Sequence, residues 1–391
     1  MMPEICNFFV KEPAGIQRNC EPIKVGIPFP KDKVKRLDHL LLVESGLPQL
    51  FSVEQTAVWP DGSIKWVLFD FFCSLDINAE KEYKILYSDT PFVNDHNCIK
   101  IDRLEDCYSI NTGAAVFLIT QDPDSFLKVI SINETAFSHY FGANLILIDE
   151  EQNCIPVEIK GIERTDKNNT IANSFVIYGL FLHAGKKDYI NFKIHMTFFM
   201  DSPIIKWDFL IHNKCAARHA DGTWDLGDPG SVYFSEIRFD FILDSIDKVS
   251  YRPEKNNKWQ SQNNNINLSI YQESSGGVNW RSNNHKNKYG VVPLKLKGYI
   301  VYANHKPISK GNRASPYIFI NNDRHGLTCT IDRFWQNFPK AFDVKNDCLS
   351  IKIFPGDFPD VFELQGGERK THTFYTSFSQ DNTILDWVES P

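Results

Sequence analysis

The stretch Tyr189-Ile190-Asn191-Phe192-Lys193-Ile194-His195-Met196-Thr197-Phe198-Phe199 alternates apolar and polar residues with a period of two. Ile190, Phe192, Ile194 and Met196 fall on one side, and Asn191, Lys193, His195 and Thr197 on the other. A helix would scatter these residues around its circumference. A strand with one buried face sorts them cleanly. Similar runs follow at 204–212, 235–243, 266–271, 298–302, 317–320, 348–353 and 372–377, and precede it at 114–120, 143–148 and 174–182. Helical patterns are few, with short helices expected only at 124–129 and 383–388, and an exposed Asn-rich loop at 255–267. So many strands with so little helix predict a large two-sheet antiparallel β-sandwich over residues 96–391.

Residues 1–95 have a different rhythm. Short strand candidates at 23–27, 39–43, 49–53, 64–72 and 83–87 are separated by turn clusters such as Trp59-Pro60-Asp61-Gly62-Ser63. Strands at this spacing predict a small N-terminal β-barrel. The run 66–72 is nearly all apolar and is expected to be a buried strand. The fold class is therefore all-β, with a barrel followed by a sandwich.

Composition narrows the function classes. The 391-residue chain has a net charge of −7, so it lacks the basic footprint of a nucleic-acid-binding protein. No apolar run approaches the ~20 residues of a spanning helix, and no partnership with a membrane is expected. The nine cysteines are odd in number and form no CxxC pair, which reads as reduced thiols rather than a disulfide frame or zinc site. With no signal peptide visible at the N-terminus, a cytoplasmic location is expected.

The richest chemistry lies in His219-Ala220-Asp221-Gly222-Thr223-Trp224-Asp225-Leu226-Gly227-Asp228-Pro229-Gly230-Ser231. Its glycines and proline exclude a regular element and predict an ordered loop. Carboxylates accept hydroxyl hydrogen bonds and an indole stacks on a pyranose face, so the loop suits a sugar. The same carboxylates would also serve to cap their own backbone. Asp221, Asp225 and Asp228 could alternatively hold a structural calcium, which prefers oxygen ligands; no other metal and no cofactor is expected.

Several segments carry a resemblance to a known family. These are Val25-Gly26-Ile27-Pro28-Phe29-Pro30-Lys31 with Ala57–Trp66, the 219–231 loop, and Tyr271–Trp280 with Asn284-His285. Phe334–Ala341 and Phe362–His372 complete the set. Together they resemble the exo-rhamnogalacturonan lyase-like family. The resemblance implies an N-terminal RIFT-type barrel and a central supersandwich-like β-sandwich. In that family an α/α toroid follows; none is expected here.

The resemblance further implies a polysaccharide or oligosaccharide lyase acting on uronic-acid-containing glycans, with an acidic glycan as partner. β-Elimination needs a cation for the C6 carboxylate, a base for the C5 proton and an acid for the leaving oxygen. The candidate catalytic residues are His219, Asp225, Glu273, His285 and Lys340. Candidate substrate-binding residues are Arg218, Asp221, Trp224, Asp228, Asn279, Trp280, Arg281, Trp335, Gln336 and Gln365. His372, Glu363 and Glu368 read more readily as structural. A carboxylate pair that includes Glu273 would instead suit a glycoside hydrolase. A non-catalytic carbohydrate-binding or polysaccharide-assembly protein and a sugar epimerase are the other readings. These residues cluster in four loops, expected to converge at one end or face of the sandwich.

Overall fold

The computed structural model describes residues 3–92, 99–136, 142–166, 169–218, 226–263, 267–383 and 385–388. All of its strand pairings are antiparallel, and its only helical elements are two single 3₁₀ turns among the described residues. No helix is long and apolar enough to cross a membrane.

The N-terminal unit folds two small sheets around one core. One orders Glu4–Lys11, Glu80–Tyr87, Leu40–Glu44 and Leu47–Pro48, and the other Arg18–Pro28, Ile64–Leu75 and Phe51–Val58. Phe29, Val34, Leu42, Val67, Phe69, Phe71, Tyr83 and Ile85 fill the space between them. The turn at Pro60-Asp61-Gly62 forms as its sequence dictates. Asp61 Oδ1 accepts hydrogen bonds from the Ser63 N–H (3.0 Å) and hydroxyl (2.7 Å), and Gly62 takes the left-handed φ of +83°. The Trp59 indole donates to the Phe29 carbonyl at 3.0 Å and closes the turn onto the barrel. The run 66–72 lies in the largely buried strand Ile64–Leu75, with Val67, Phe69 and Phe71 in the core; only Trp66 departs from expectation, pointing outward over Gly26 and 41% exposed.

A buried ion triad ties the first strands of the barrel together. Arg18 bonds Glu21 at 2.8 Å and Glu12 at 3.3 Å. Glu12 also accepts the backbone N–H groups of Ala14, Gly15 and Asn78 at 2.9 to 3.0 Å.

The sandwich pairs a 14-stranded sheet with a 9-stranded one. The larger sheet runs through Tyr299–Ala303, Leu268–Gln272, Lys340–Lys345, Cys348–Phe354, Val232–Ile242 and Gly142–Asp149. The smaller runs through Ala172–His183, Lys186–Phe199, Ile204–His212, Arg369–Ser377 and Gly326–Ile331. Their inner faces interdigitate, and Trp207 lies at the centre. Its ring stacks on Phe374 (5.2 Å, 11°), and its indole N–H donates to Thr376 Oγ1 at 2.9 Å. The helices expected at 124–129 and 383–388 do not form. The first region enters the strand Leu127–Ile132, whose Leu127, Val129 and Ile132 face the core. The second is a pair of turns closed by Asp386 N–H to the Thr383 carbonyl and Val388 N–H to the Leu385 carbonyl. Within the expected loop 255–267, Gln260–Asn263 forms an edge strand beside Lys248–Arg252.

The barrel docks where the strand Ala172–His183 begins. Phe72 and Ile16 pack on a cluster of Ala172, Phe199, Ile204, Tyr317, Leu385 and Trp387, and Asn169 donates to Asp70 at 2.9 Å. The other end of that strand, about 36 Å away at 3.3 Å per residue, belongs to the loops described next.

Candidate functional site

Strand register places the loops at one end of the sandwich. In the larger sheet Gln272 pairs with Lys340, Ile237 with Phe354, Val232 with Leu364 and Phe234 with Asp149. In the smaller sheet His212 pairs with Arg369 and with Asn191. The segments that follow or precede these residues therefore emerge together. Residues 219–225, with His219, Asp221, Trp224 and Asp225, lie outside the described residues, but both flanks are anchored. The Arg218 N–H donates to Asp228 Oδ2 at 2.7 Å, and the Gly227 N–H donates to Glu363 Oε1 at 2.7 Å.

The loops touch one another pairwise. Glu363 also accepts from the Ser231 hydroxyl at 2.7 Å, and buried Asn213 donates to the Gly230 and Leu364 carbonyls at 2.8 and 2.9 Å. These contacts join the first loop to the fourth. The backbones come so close that a Cβ on Gly366 would stand 2.6 Å from the Ala217 nitrogen. His285, half-buried in the turn Asn283–His285, meets the Phe338 ring edge-on at 5.4 Å and joins the second loop to the third. Arg313 joins them again: its guanidinium lies 4.3 Å over Trp335, and its Nε reaches the Ser275 carbonyl at 3.4 Å. Gly276, at φ +66°, lets this turn press against the Asn312 backbone, where a Cβ would meet the carbonyl oxygen at 2.0 Å.

Three cations lie over aromatic rings along this rim. They are Arg313 on Trp335, Arg281 on Trp280 at 4.8 Å, and Lys288 on Tyr233 at 3.7 Å. Arg281 is further held by its Nε donating to the Leu294 carbonyl at 2.9 Å. Burial and the Glu363 carboxylate push the Tyr233 phenol above its ordinary value, against the pull of Lys288. Arg313, Lys288 and Tyr233 were not singled out by sequence. Tyr233 reads as a strand residue, and Arg313 and Lys288 sit in polar turns where cations are ordinary.

Beneath the rim two bases enter the inter-sheet core. Lys340 shares the inward face of its strand with Phe342 and Val344, and His372 shares that of the opposite sheet with Phe374 and Thr376. The Phe354 ring lies 5.0 Å from the His372 ring and 5.3 Å from Lys340 Nζ. Lys340 donates to the carbonyls of Asn337 and Pro339 at 2.6 and 3.1 Å. Burial, and then the neighbouring Lys370, bring its ammonium down to about 7. Burial, then Lys340 and Lys370, hold His372 well below the ordinary imidazole value. Both His372 nitrogens are buried without a hydrogen-bond partner among the described residues.

The remaining candidates divide by environment. Asn279, Arg218 and Gln336 are exposed, and Trp280 and Trp335 are half-exposed. Gln365 is held by its own turn, its N–H donating to Glu368 Oε2 at 2.8 Å. Asp228 gives its two oxygens to backbone N–H groups of Arg218 and Gly230, so it clasps the loop. Glu273 is buried; its Oε1 accepts the N–H groups of Lys295 and Leu296, and its Oε2 accepts the Tyr271 hydroxyl at 3.2 Å. Its carboxylate holds a loop in place. One group among the described residues has the composition of a metal centre. Asp149, Glu151 and His183 offer ligand atoms within 4.8 Å of one another. His183 Nδ1 faces the Ala184 carbonyl at 2.8 Å, which leaves Nε2 directed to Asp149 at 3.6 Å.

Residues 14–85 match the PcRGLX-like N-terminal RIFT barrel domain, and at the level of this domain the exo-rhamnogalacturonan lyase-like resemblance holds. No curated protein matches the chain. Among solved structures it is similar to a glycosyl hydrolase family 38 protein from Enterococcus faecalis, at 9% identity and a TM-score of 0.47, over 95% of this chain and 44% of that one. It is also similar to an alpha-mannosidase from Enterococcus faecalis V583, at 9% identity and a TM-score of 0.48, over 95% and 43%. The chain thus spans less than half the length of either.

Proposed function

We propose that the protein is a carbohydrate-active enzyme of lyase type that cleaves uronic-acid-containing glycans by β-elimination at the loop-bearing end of its sandwich. The observation that carries this reading is the rim of three cation–aromatic pairs, Arg313–Trp335, Arg281–Trp280 and Lys288–Tyr233. An aromatic face takes the apolar side of a pyranose, and a cation beside it takes the carboxylate. Pairing the two selects a sugar that bears an acid.

The elimination draws on the same side chains. Arg313 or Lys288 offsets the charge of the C6 carboxylate as the C5–H bond breaks and an enolate-like state forms. His285, half-exposed on the rim, takes the C5 proton. The C4–O bond then breaks, a C4–C5 double bond forms, and the leaving oxygen is protonated. Tyr233 takes that last role as a phenol, protonated at neutral pH, with the Lys288 ammonium 3.7 Å over its ring. Lys340 and His372 lie beneath these groups, their charged forms disfavoured by burial.

The test is incubation of the protein with a panel of uronate oligosaccharides, followed by ultraviolet absorbance. An unsaturated product supports the reading. Tight binding without product replaces it with a carbohydrate-binding protein. Deuterium uptake from solvent at C5 without cleavage replaces it with an epimerase.

A further inference from the structure

The outer face of the larger sheet holds a second concave surface with different chemistry. A cavity of about 520 Å³ opens over the strands Leu268–Gln272 and Lys340–Lys345, within the range of small-molecule sites. Ile270, Phe342 and Val344 point into the core, so Ser269, Tyr271 and Asp343 point out into this groove. Tyr302, Lys345 and Asp357 complete its walls. From Ser269 to Glu273 the floor runs about 13 Å along the strand.

Polar groups of both kinds are left available in the groove. Lys352 reaches up between Asp343, Asp357 (2.9 Å) and Glu236 (3.6 Å) and fixes the carboxylates in place. It occupies Asp343 Oδ2 and Asp357 Oδ2. Asp343 Oδ1 is buried without a hydrogen-bond partner among the described residues, and the more exposed Asp357 carboxylate is the acceptor that faces the groove. Among the described residues the hydroxyls of Tyr302 and Ser269 and the ammonium of Lys345 have no hydrogen-bond partner, and they line the groove as donors. The groove carries both signs: Glu273, Asp343 and Asp357 line it with Lys295, Lys345 and His305, and Lys352 with Glu236 lies beneath. The rim, by contrast, presents cations over its rings.

We propose that this groove is a binding subsite for an uncharged, hydroxyl-rich sugar, with Asp357 accepting from its hydroxyls and Tyr302 donating to it and packing on its ring. The subsite rests on its own lining and does not require that the rim perform an elimination.

Calorimetric titration of the full chain with uncharged trisaccharides of gluco, manno, galacto and xylo configuration tests it. At least one should bind, and saturating galacturonate should leave that binding in place. Tyr302→Ala should weaken it tenfold or more. Tyr302→Phe, which removes only the hydroxyl and keeps the ring, should give a smaller loss of about threefold to fivefold. Failure of every uncharged trisaccharide to bind overturns the proposal. So does binding that survives Tyr302→Ala in a folded variant, or that galacturonate displaces.

Discussion

Lys340 and His372 enter the same corner of the inter-sheet core from opposite sheets, and the Phe354 ring lies against both. Among the described residues neither base has a carboxylate in hydrogen-bond contact. Two cations there would repel each other in a medium that screens poorly, so the folded state favours their neutral forms.

That arrangement sets a pH dependence. The folded value of Lys340 is about 7, below its ordinary value of 10.5, so between these limits the unfolded chain binds the extra proton. Stability from this group therefore rises with pH across that window, by roughly 1.4 kcal/mol per unit. Urea unfolding of the wild type and Lys340→Met at pH 7, 8 and 9 should show the balance moving toward the wild type at each step. A constant difference would mean that Lys340 stays charged when folded.

Glu12 carries the opposite sign. Burial raises its carboxyl, but the N–H groups of Asn78, Ala14 and Gly15 and the Arg18 guanidinium outweigh this and hold it at about 2. The stabilisation is complete above about 4.5, the ordinary value, and is lost as pH falls toward 2. Thermal melts of Glu12→Gln should lie below the wild type at pH 7, and the two should approach each other at pH 2.

The rim predicts a division of labour among its residues. Arg313→Ala and Lys288→Ala should each weaken uronate oligosaccharide binding by about 0.5–1 kcal/mol, the worth of a cation contact at an exposed rim. High salt should blunt the difference. His285→Ala should lower kcat far more than it changes KM, because proton abstraction belongs to the transition state. Steady-state kinetics separates the two, and an unaltered kcat removes His285 from the chemistry.

Gly366 and Gly367 are neighbours with unequal demands. An Ala at 366 places its Cβ against the Ala216–Ala217 backbone, which cannot yield like a flexible side chain. A loss of about 1–3 kcal/mol is expected from this overpacking. At 367 the space is open and only the φ of +78° resists, so about 1 kcal/mol should be lost. Urea midpoints for the two variants give the ranking directly.

Much of this fold was legible because alternation is a local signal. The residues Ile190, Phe192, Ile194 and Met196 all lie in the core as their spacing demands. Short polar strands such as Gln260–Asn263 escaped notice because backbone pairing at an edge needs no apolar face. Trp66 misled for the reverse reason: an apolar run does not say that both of its faces are covered.

The four loops were legible as chemistry-bearing segments, yet the roles of single residues were not. Glu273 and Asp228 carry carboxylates whose work is to hold backbone amides, which depends on where a distant chain passes. Lys340 reads from sequence as a catalytic candidate in the third loop, but the register of its strand places it beside Gln272 and inside the core. Arg313 acquires its place through Trp335, a partner remote in sequence.

The barrel grips the start of the strand Ala172–His183, and the loops crown its far end. A chain immobilised through its barrel on a solid support would therefore present the crown to solution, unobstructed by the attachment. Orientation on a sensor chip is set by choosing which end of one strand to tether.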